Sequence, residues 1–303
     1  MSSTMLQMMQ QVTSELGVPV PTYVSGNTNQ DVVQLLALMN ATGYELLRRA
    51  DWRNLTKPYQ FTTQYTTTTG NWASGATVIT GIPSTAGLDT TYQVQGLGIP
   101  NATYIVSVDS SSQVTLNQAT TQDNSTNNTV YFQKVKYALP TDYDSIVPRT
   151  QWDKSKRWEM LGPEDAQQWE WLLSGYISTG PRIRWRLLGN YFQIWPGISY
   201  NESLGFEYRS YMWAINSAGT SIPAFSSDTD TCIYPDRLVV LSTKLKYFEA
   251  KGFDTTAMYR NYAEELETCI AQNTSAANLS FAPRPGTVLI GYDNIPDSGY
   301  GTP

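Results

Sequence analysis

The sequence predicts an α+β fold in which a helical bundle with a small mixed sheet carries an inserted all-β module and an extended C-terminal arm. Three observations predict it. Apolar residues recur at helical spacing near both ends of the 303-residue chain. Between Tyr59 and Gln133 the composition changes abruptly: Lys and Arg vanish, Asp89, Asp109 and Asp123 are the only Asp residues, and Thr, Ser, Gly and Val dominate. Beyond Asn278, Pro283, Pro285, Pro296, Pro303 and several glycines forbid a helix and leave too few apolar side chains for a separate core. The expected units are residues 1–58 (N-terminal helices of the core), 59–136 (the β-module), 137–277 (sheet and helical hairpin completing the core) and 278–303 (the arm).

The elements follow in chain order. Met5, Met8, Met9, Val12 and Leu16 share one face of a short helix from Thr4 that stops at Gly17 and Pro19. Val32, Leu35, Leu36, Met39, Gly43, Leu46 and Leu47 line one face of a long helix ending near Trp52. Asn29 or Thr28 serves as its N-cap, Asp31 suits its first turn, and Arg48 and Arg49 suit the dipole of its last turns. In the module, Thr103 to Val108 and Gln113 to Leu116 alternate about the turn Asp109 to Ser112, which reads as a hairpin. Trp72 to Thr80, Tyr92 to Val94 and Thr129 to Lys136 supply further strands of a small sandwich or barrel. Pro163 to Leu173 reads as a short helix with Pro in its first turn. Ile183 to Leu188 and Tyr191 to Trp195 read as strands joined at Gly189-Asn190, and Leu204 to Trp213 as a third. Pro235 to Ala250 and Thr255 to Gln272 form a helical hairpin about Gly252, with Leu238, Leu241, Leu245 and Phe248 facing Tyr259, Tyr262, Leu266 and Ile270.

Composition narrows the function. The chain has no His, which removes the commonest general base, the commonest zinc ligand and every Ser-His or Cys-His nucleophile scheme. A formal net charge of −6 and a pI near 4.8 do not mark a basic DNA-binding domain. Charged residues make up only 15% while aromatics reach 12%, a balance that suits broad, weakly charged contact surfaces. Cys232 and Cys269 are too few for a disulfide framework, and Met1 to Val18 lacks the n-region and h-region of a secretory signal, so synthesis in a reducing cytoplasm is expected. No membrane span, metal or cofactor is expected.

Three clusters carry residue types that chemistry could use. Asp228, Asp230 and Asp236 supply hard oxygen ligands for a cation but lack a phosphate cradle, so a solvated loop is the simpler reading. Glu159, Glu164 and Asp165 beside Trp158 and Trp169 have the residue types of a glycosidase pair, a combination that arises easily in a Trp-rich segment. Arg182, Arg184 and Arg186 alternate, so all project from one strand face. They are candidate intersubunit contacts, or else pair with acids of the same chain, with a phosphate ladder as the functional alternative.

Several segments together resemble the head-to-tail adaptor family of tailed bacteriophages, which includes the podophage tail tubular protein A-like, portal-binding accessory factors. "LLRRADWRNL" (Leu46 to Leu55) is similar to the family's first long helix ending in an Arg-Arg-x-x-Trp corner. "YALPTDYDSIV" (Tyr137 to Val147) resembles its Leu-Pro-x-Asp-Tyr entry into the central sheet, and "RIRWRLLGNYFQIWPG" (Arg182 to Gly197) its strand, Gly-Asn turn and Trp-Pro strand end. "FEYRSYMWAI" (Phe206 to Ile215) and the helical stretch Asp236 to Leu266 complete the pattern over more than half the chain, while the β-module departs from the smallest members. The resemblance implies a non-enzymatic virion protein at the head-tail junction. It implies partners in the portal protein, a tail nozzle or tubular protein and further copies of itself, in a dodecameric ring through which phage DNA passes. Such a ring would carry about 72 formal negative charges at −6 per copy, some lining the lumen so that DNA slides.

In the arm, Val288, Ile290 and Tyr292 alternate with Leu289 in a β-prone run, and with Ile295 and Tyr300 they are the candidate portal-binding residues, added as a strand to a partner's sheet edge. The rival reading, favoured by the Trp content and the module, is a peripheral tail protein that binds a host glycan or receptor. A cell-wall hydrolase is the third.

Overall fold

The computed structural model describes residues 3–174 and 182–273. It corrects the expected helical bundle with one small sheet: of the described residues 31% are strand and 29% helix, and the strands form several antiparallel sheets. The excess strand lies between Tyr137 and Cys232, in pieces as short as two residues. A two-residue strand is too short to show alternation, so sequence periodicity cannot register it.

The helices are α1 (Met5–Leu16), α2 (Gln30–Arg49), α3 (Ala166–Leu173), α4 (Asp236–Lys251) and α5 (Thr256–Asn273). Thr4 and Gln7 form a reciprocal capping box on α1, and Gly17 closes it in a left-handed conformation at φ 71°. Asn29 caps α2 by accepting from the Asp31 N–H. α1, α2 and α5 all pack on α4, so α4 is buried on nearly every side, including Val239, Val240, Thr243 and Lys244. The expected face-to-face hairpin is therefore incomplete: α5 buries only Tyr262 and Cys269, and Tyr259 is 60% exposed. The core of this layer joins Met5, Met9, Leu35, Met39 and Leu46 to Trp213, Tyr234, Leu238 and Leu245. α3 begins after Pro163, with Asp165 as its N-cap, so the proline precedes the helix instead of opening it.

The strands up to the module's end are β1 (Thr56–Thr62), β2 (Tyr65–Trp72), β3 (Val78–Ile79), β4 (Tyr92–Gly96), β5 (Thr103–Ser110), β6 (Gln113–Leu116) and β7 (Asn124–Lys134). β2 to β7 form a six-stranded sheet in the order β2-β7-β4-β5-β6-β3, and two hydrogen bonds between Asn71 and Thr80 (2.8 and 2.9 Å) link its ends into a small barrel. Its own core includes Trp72, Ile79, Val94, Ile105, Val114, Val130 and Phe132. The expected boundary at Tyr59 falls inside β1, which pairs along its whole length with a core strand and sends Tyr59 and Phe61 into the core sandwich. The module's ends meet at Gln64 and Lys134, whose backbones are hydrogen-bonded at 2.9 Å.

The remaining strands are β8 (Lys136–Ala138), β9 (Tyr143–Ile146), β10 (Trp152–Asp153), β11 (Trp158–Glu159), β12 (Arg184–Leu188), β13 (Tyr191–Trp195), β14 (Ser203–Ser210), β15 (Ala214–Ile215), β16 (Ser221–Ile222) and β17 (Thr231–Cys232). One sheet runs β1-β14-β10-β11 with β9 also on β14, and a second runs β12-β13-β8. Their inner faces share an aromatic core in which Trp185 stacks on Phe192 (5.2 Å) and Phe192 on Phe206 (4.9 Å). The small sheet β16-β15-β17 brings Trp213 and Tyr234 under the helices.

Candidate assembly surfaces

Three of the segments that carry the resemblance, Leu46 to Leu55, Tyr137 to Val147 and Phe206 to Ile215, meet at the C-terminal end of α2. Arg48 pairs with Asp144 of β9 at 3.1 Å, and Asp51 with Arg209 of β14 at 2.8 Å. Trp52 donates its indole N–H to the Leu46 carbonyl (2.7 Å) and meets Tyr234 edge-on at 5.2 Å. Asn273, at the end of α5, donates to the Asp51 carbonyl (2.7 Å) and accepts from the Arg53 N–H (3.0 Å). A groove of about 500 Å³ lined by Arg48, Arg49, Asp51, Asp144, Arg209 and Asn273 runs through this corner. The long helix, both sheet segments and the last helix thus share one polar joint.

Asp142, in the Leu-Pro-x-Asp-Tyr stretch, ties the joint to β1. Its carboxylate accepts from Lys57 Nζ (2.7 Å) and from the Tyr208 hydroxyl (2.7 Å), while its carbonyl accepts from the Tyr211 N–H (3.0 Å). Burial works against the charged form, but hydrogen bonds from Lys57, Tyr208 and Ser210 outweigh it and hold the Asp142 pKa below its ordinary value. A depressed carboxylate contributes stability that is present above its unfolded pKa and lost as pH falls through the folded one. Asp142→Asn is therefore expected to cost about 2 kcal/mol at neutral pH, less than a fully buried pair because Lys57 keeps some solvent. It should also shallow the loss of stability below about pH 4, as measured by urea unfolding across the acid range.

The arginine ladder is satisfied within the chain. Arg182 pairs with Glu159 (3.1 Å) and Arg184 with the nearly buried Glu164 (2.6 Å), while Arg186 donates to the Gln193 side chain (2.9 Å) and lies 4.4 Å over the Trp169 ring. These contacts occupy Glu159 and Glu164, and Asp165 is engaged as the α3 cap, so all three carboxylates of the glycosidase reading are held in structural contacts. The third cluster is structural in the same way. Asp228 accepts from the Val24 and Ser25 N–H groups, Asp230 from those of Ser226 and Ser227, and Asp236 from that of Ser3. Among the described residues no group of three or more Asp, Glu or Cys is placed to hold a metal ion. Both cysteines are buried, and burial pushes their thiols up, Cys232 to about 12 and Cys269 to about 11, far from a reactive thiolate at neutral pH.

Two surface features escaped sequence reasoning. A groove of about 540 Å³ opens between β1 and β8, lined by Tyr59, Phe61, Tyr65, Gln64, Lys134 and Tyr137. Phe61 and Tyr137 lie 4.4 Å apart there, and the module meets the core sandwich at this point. The β10–β11 hairpin carries Lys154, Lys156 and Arg157 at its tip, with Trp158 and Tyr200 exposed beside it. The run of three cations in four positions was legible, but its projection from a sheet was not. The candidate portal-binding residues Val288, Leu289, Ile290, Tyr292, Ile295 and Tyr300 lie outside the described residues. No family model matches the chain, and no curated protein does.

Proposed function

We propose that the chain is a structural subunit of a tailed-phage virion, a head-to-tail adaptor that assembles as a ring beneath the portal, joins capsid to tail and surrounds the path of the ejected DNA. One observation carries the reading. Three of the five segments that resemble the adaptor family, Leu46 to Leu55, Tyr137 to Val147 and Phe206 to Ile215, meet at one joint, where Arg48 with Asp144 and Asp51 with Arg209 tie the end of α2 to the sheets and Asn273 adds the end of α5. The engagement of Glu159, Glu164, Asp165 and the buried thiols in structural roles supports a function of contact instead of turnover. In this reading the C-terminal arm meets the portal, and the tail nozzle or tubular protein meets another face of a ring of twelve copies.

The test is electron microscopy of the protein incubated with the portal of the same phage, using the full chain and a chain truncated after Leu279. The expected result is a ring stacked coaxially on the portal by the full chain, and a folded but unattached subunit after truncation. Peripheral density away from the portal axis, or glycan-dependent binding to host cells without portal binding, would replace the adaptor with the receptor-binding reading.

A further inference from the structure

We infer that two surfaces of this chain, the β10–β11 hairpin and the α4–α5 corner, pair between neighbouring copies in a head-to-tail contact. Among the described residues, twelve Lys and Arg side chains are ion-paired. Lys134, Lys136 and Arg186 lie over aromatic rings. The cations left over are Arg53, Arg149, Lys154 and Arg157, and all but Arg53 sit in or beside one hairpin. Asp153, the only acid between them, is buried and accepts from the Ser155 and Lys156 N–H groups, so it does not offset them at the surface. Trp158 and Tyr200 are 42% and 48% exposed alongside. The hairpin is a basic, aromatic prominence on a chain of net charge −6.

Exposed acids without an ion pair among the described residues also occur at Asp89, Asp109, Asp123, Glu170, Glu207 and Asp254, but α4 and α5 carry a group of them together with exposed aromatic rings. Glu249 and Glu267 are exposed and make no ion pair among the described residues, and Glu264 has only a 3.9 Å approach to Arg260 with both side chains more than 70% exposed. Phe253, in the turn between α4 and α5, and Tyr259, in the first turn of α5, are 57% and 60% exposed, and α5 buries only two of its residues. The two patches thus match in kind, aromatic with cationic against aromatic with anionic. No ion pair joins them within the chain among the described residues. A surface complementary to a different surface of the same chain makes a heterologous contact, which closes into a ring when the rotation allows and otherwise runs on as a filament. Opposed charges set the register, and exposed aromatic rings supply the desolvated anchors.

This pairing rests on the ring-forming reading, and charge reversal separates the two. One variant carries Lys154→Glu and Arg157→Glu, a second Glu264→Lys and Glu267→Lys; all four side chains are exposed, and the hydrogen bond of Lys154 to Gln60 (2.8 Å) is the one side-chain hydrogen bond given up among the described residues. Sedimentation velocity over a concentration series should show the wild type self-associating and each variant alone weakened at least about tenfold. An equimolar mixture should recover the association, because alternating copies then present opposite charges at every contact. Wild-type protein that stays monomeric, variants that associate as the wild type does, or a mixture that fails to recover would overturn the pairing. So would a hairpin variant that loses retention of double-stranded DNA while still self-associating, since the hairpin would then belong to nucleic acid. Portal binding is read on the same samples: rings on the portal that ignore the reversals sink the pairing alone, whereas charge-dependent association without portal binding sinks the adaptor reading alone.

Discussion

Gly43→Ala is expected to destabilise the protein by about 3 kcal/mol, although alanine is the better helix former by about 1 kcal/mol. Gly43 lies inside α2 where the helix crosses Trp213, and a Cβ there would meet indole carbons at 2.2, 2.2 and 2.5 Å. Real contacts never come so close, and the indole has nowhere to retreat. Trp213 is fully buried, meets Phe225 edge-on at 4.9 Å and stacks over Tyr234 at 6.0 Å, while the Tyr234 hydroxyl donates to the Gly43 carbonyl at 3.2 Å. Relief would require the helix to move away from the small sheet β16-β15-β17, opening voids around Met39 and Leu46. Denaturant unfolding measures the loss. The combination with Trp213→Leu tests its cause, since freeing the space should make the alanine cost far less than it does against the indole. An alanine variant as stable as the wild type would show that α2 and the sheet are not locked together here.

That glycine also marks how much of the fold was legible. It was placed on the apolar face of α2 by spacing alone, and the limits of α1, α2, α4 and α5 followed from Thr4, Asn29, Gly17 and Gly252, whose local chemistry does not depend on the rest of the chain. The hairpin of β5 and β6 was legible for the same reason. What periodicity missed was pairing over long range. β1 follows α2 directly yet bonds to β14 some 150 residues later, and nothing in Thr56 to Thr62 names that partner. Of the two-residue strands, β10 lies on the longer β14, whereas β11 pairs only with β10, and β15, β16 and β17 only with one another, so none has a run long enough to show alternation. Of the candidate sites, the acids and arginines were found as residues, but their roles were decided by partners distant in sequence, as with Glu164 and Arg184.

Lys156→Met is expected to cost about 2 kcal/mol, a large effect for an exposed lysine. Lys156 Nζ lies 2.8 Å from the carboxylate of Glu202, whose side chain is only 2% exposed, and also contacts the Tyr200 hydroxyl and stands 4.7 Å over that ring. Removing the ammonium leaves a desolvated carboxylate with no countercharge. A fully buried pair broken in this way costs about 3 to 5 kcal/mol, and the 35% exposure of the lysine lowers the figure here. Replacing both partners, Lys156→Met with Glu202→Gln, should restore most of the loss, because the penalty belongs to the orphaned charge and not to the absent pair. The pH dependence gives a second signature. Burial lowers the lysine pKa, but the hydrogen bonds and charges of Glu202 and Tyr200 outweigh it and push it up to about 12. A raised pKa means that the contribution is complete below the unfolded value, about 10.5, and is lost as pH rises through about 12. The advantage of the wild type over the single variant should therefore be constant from neutrality to about pH 10 and fall away as pH rises through about 12. A single variant as stable as the double at neutral pH, or a wild-type advantage that persists beyond pH 12, would mean that water and not Lys156 compensates Glu202.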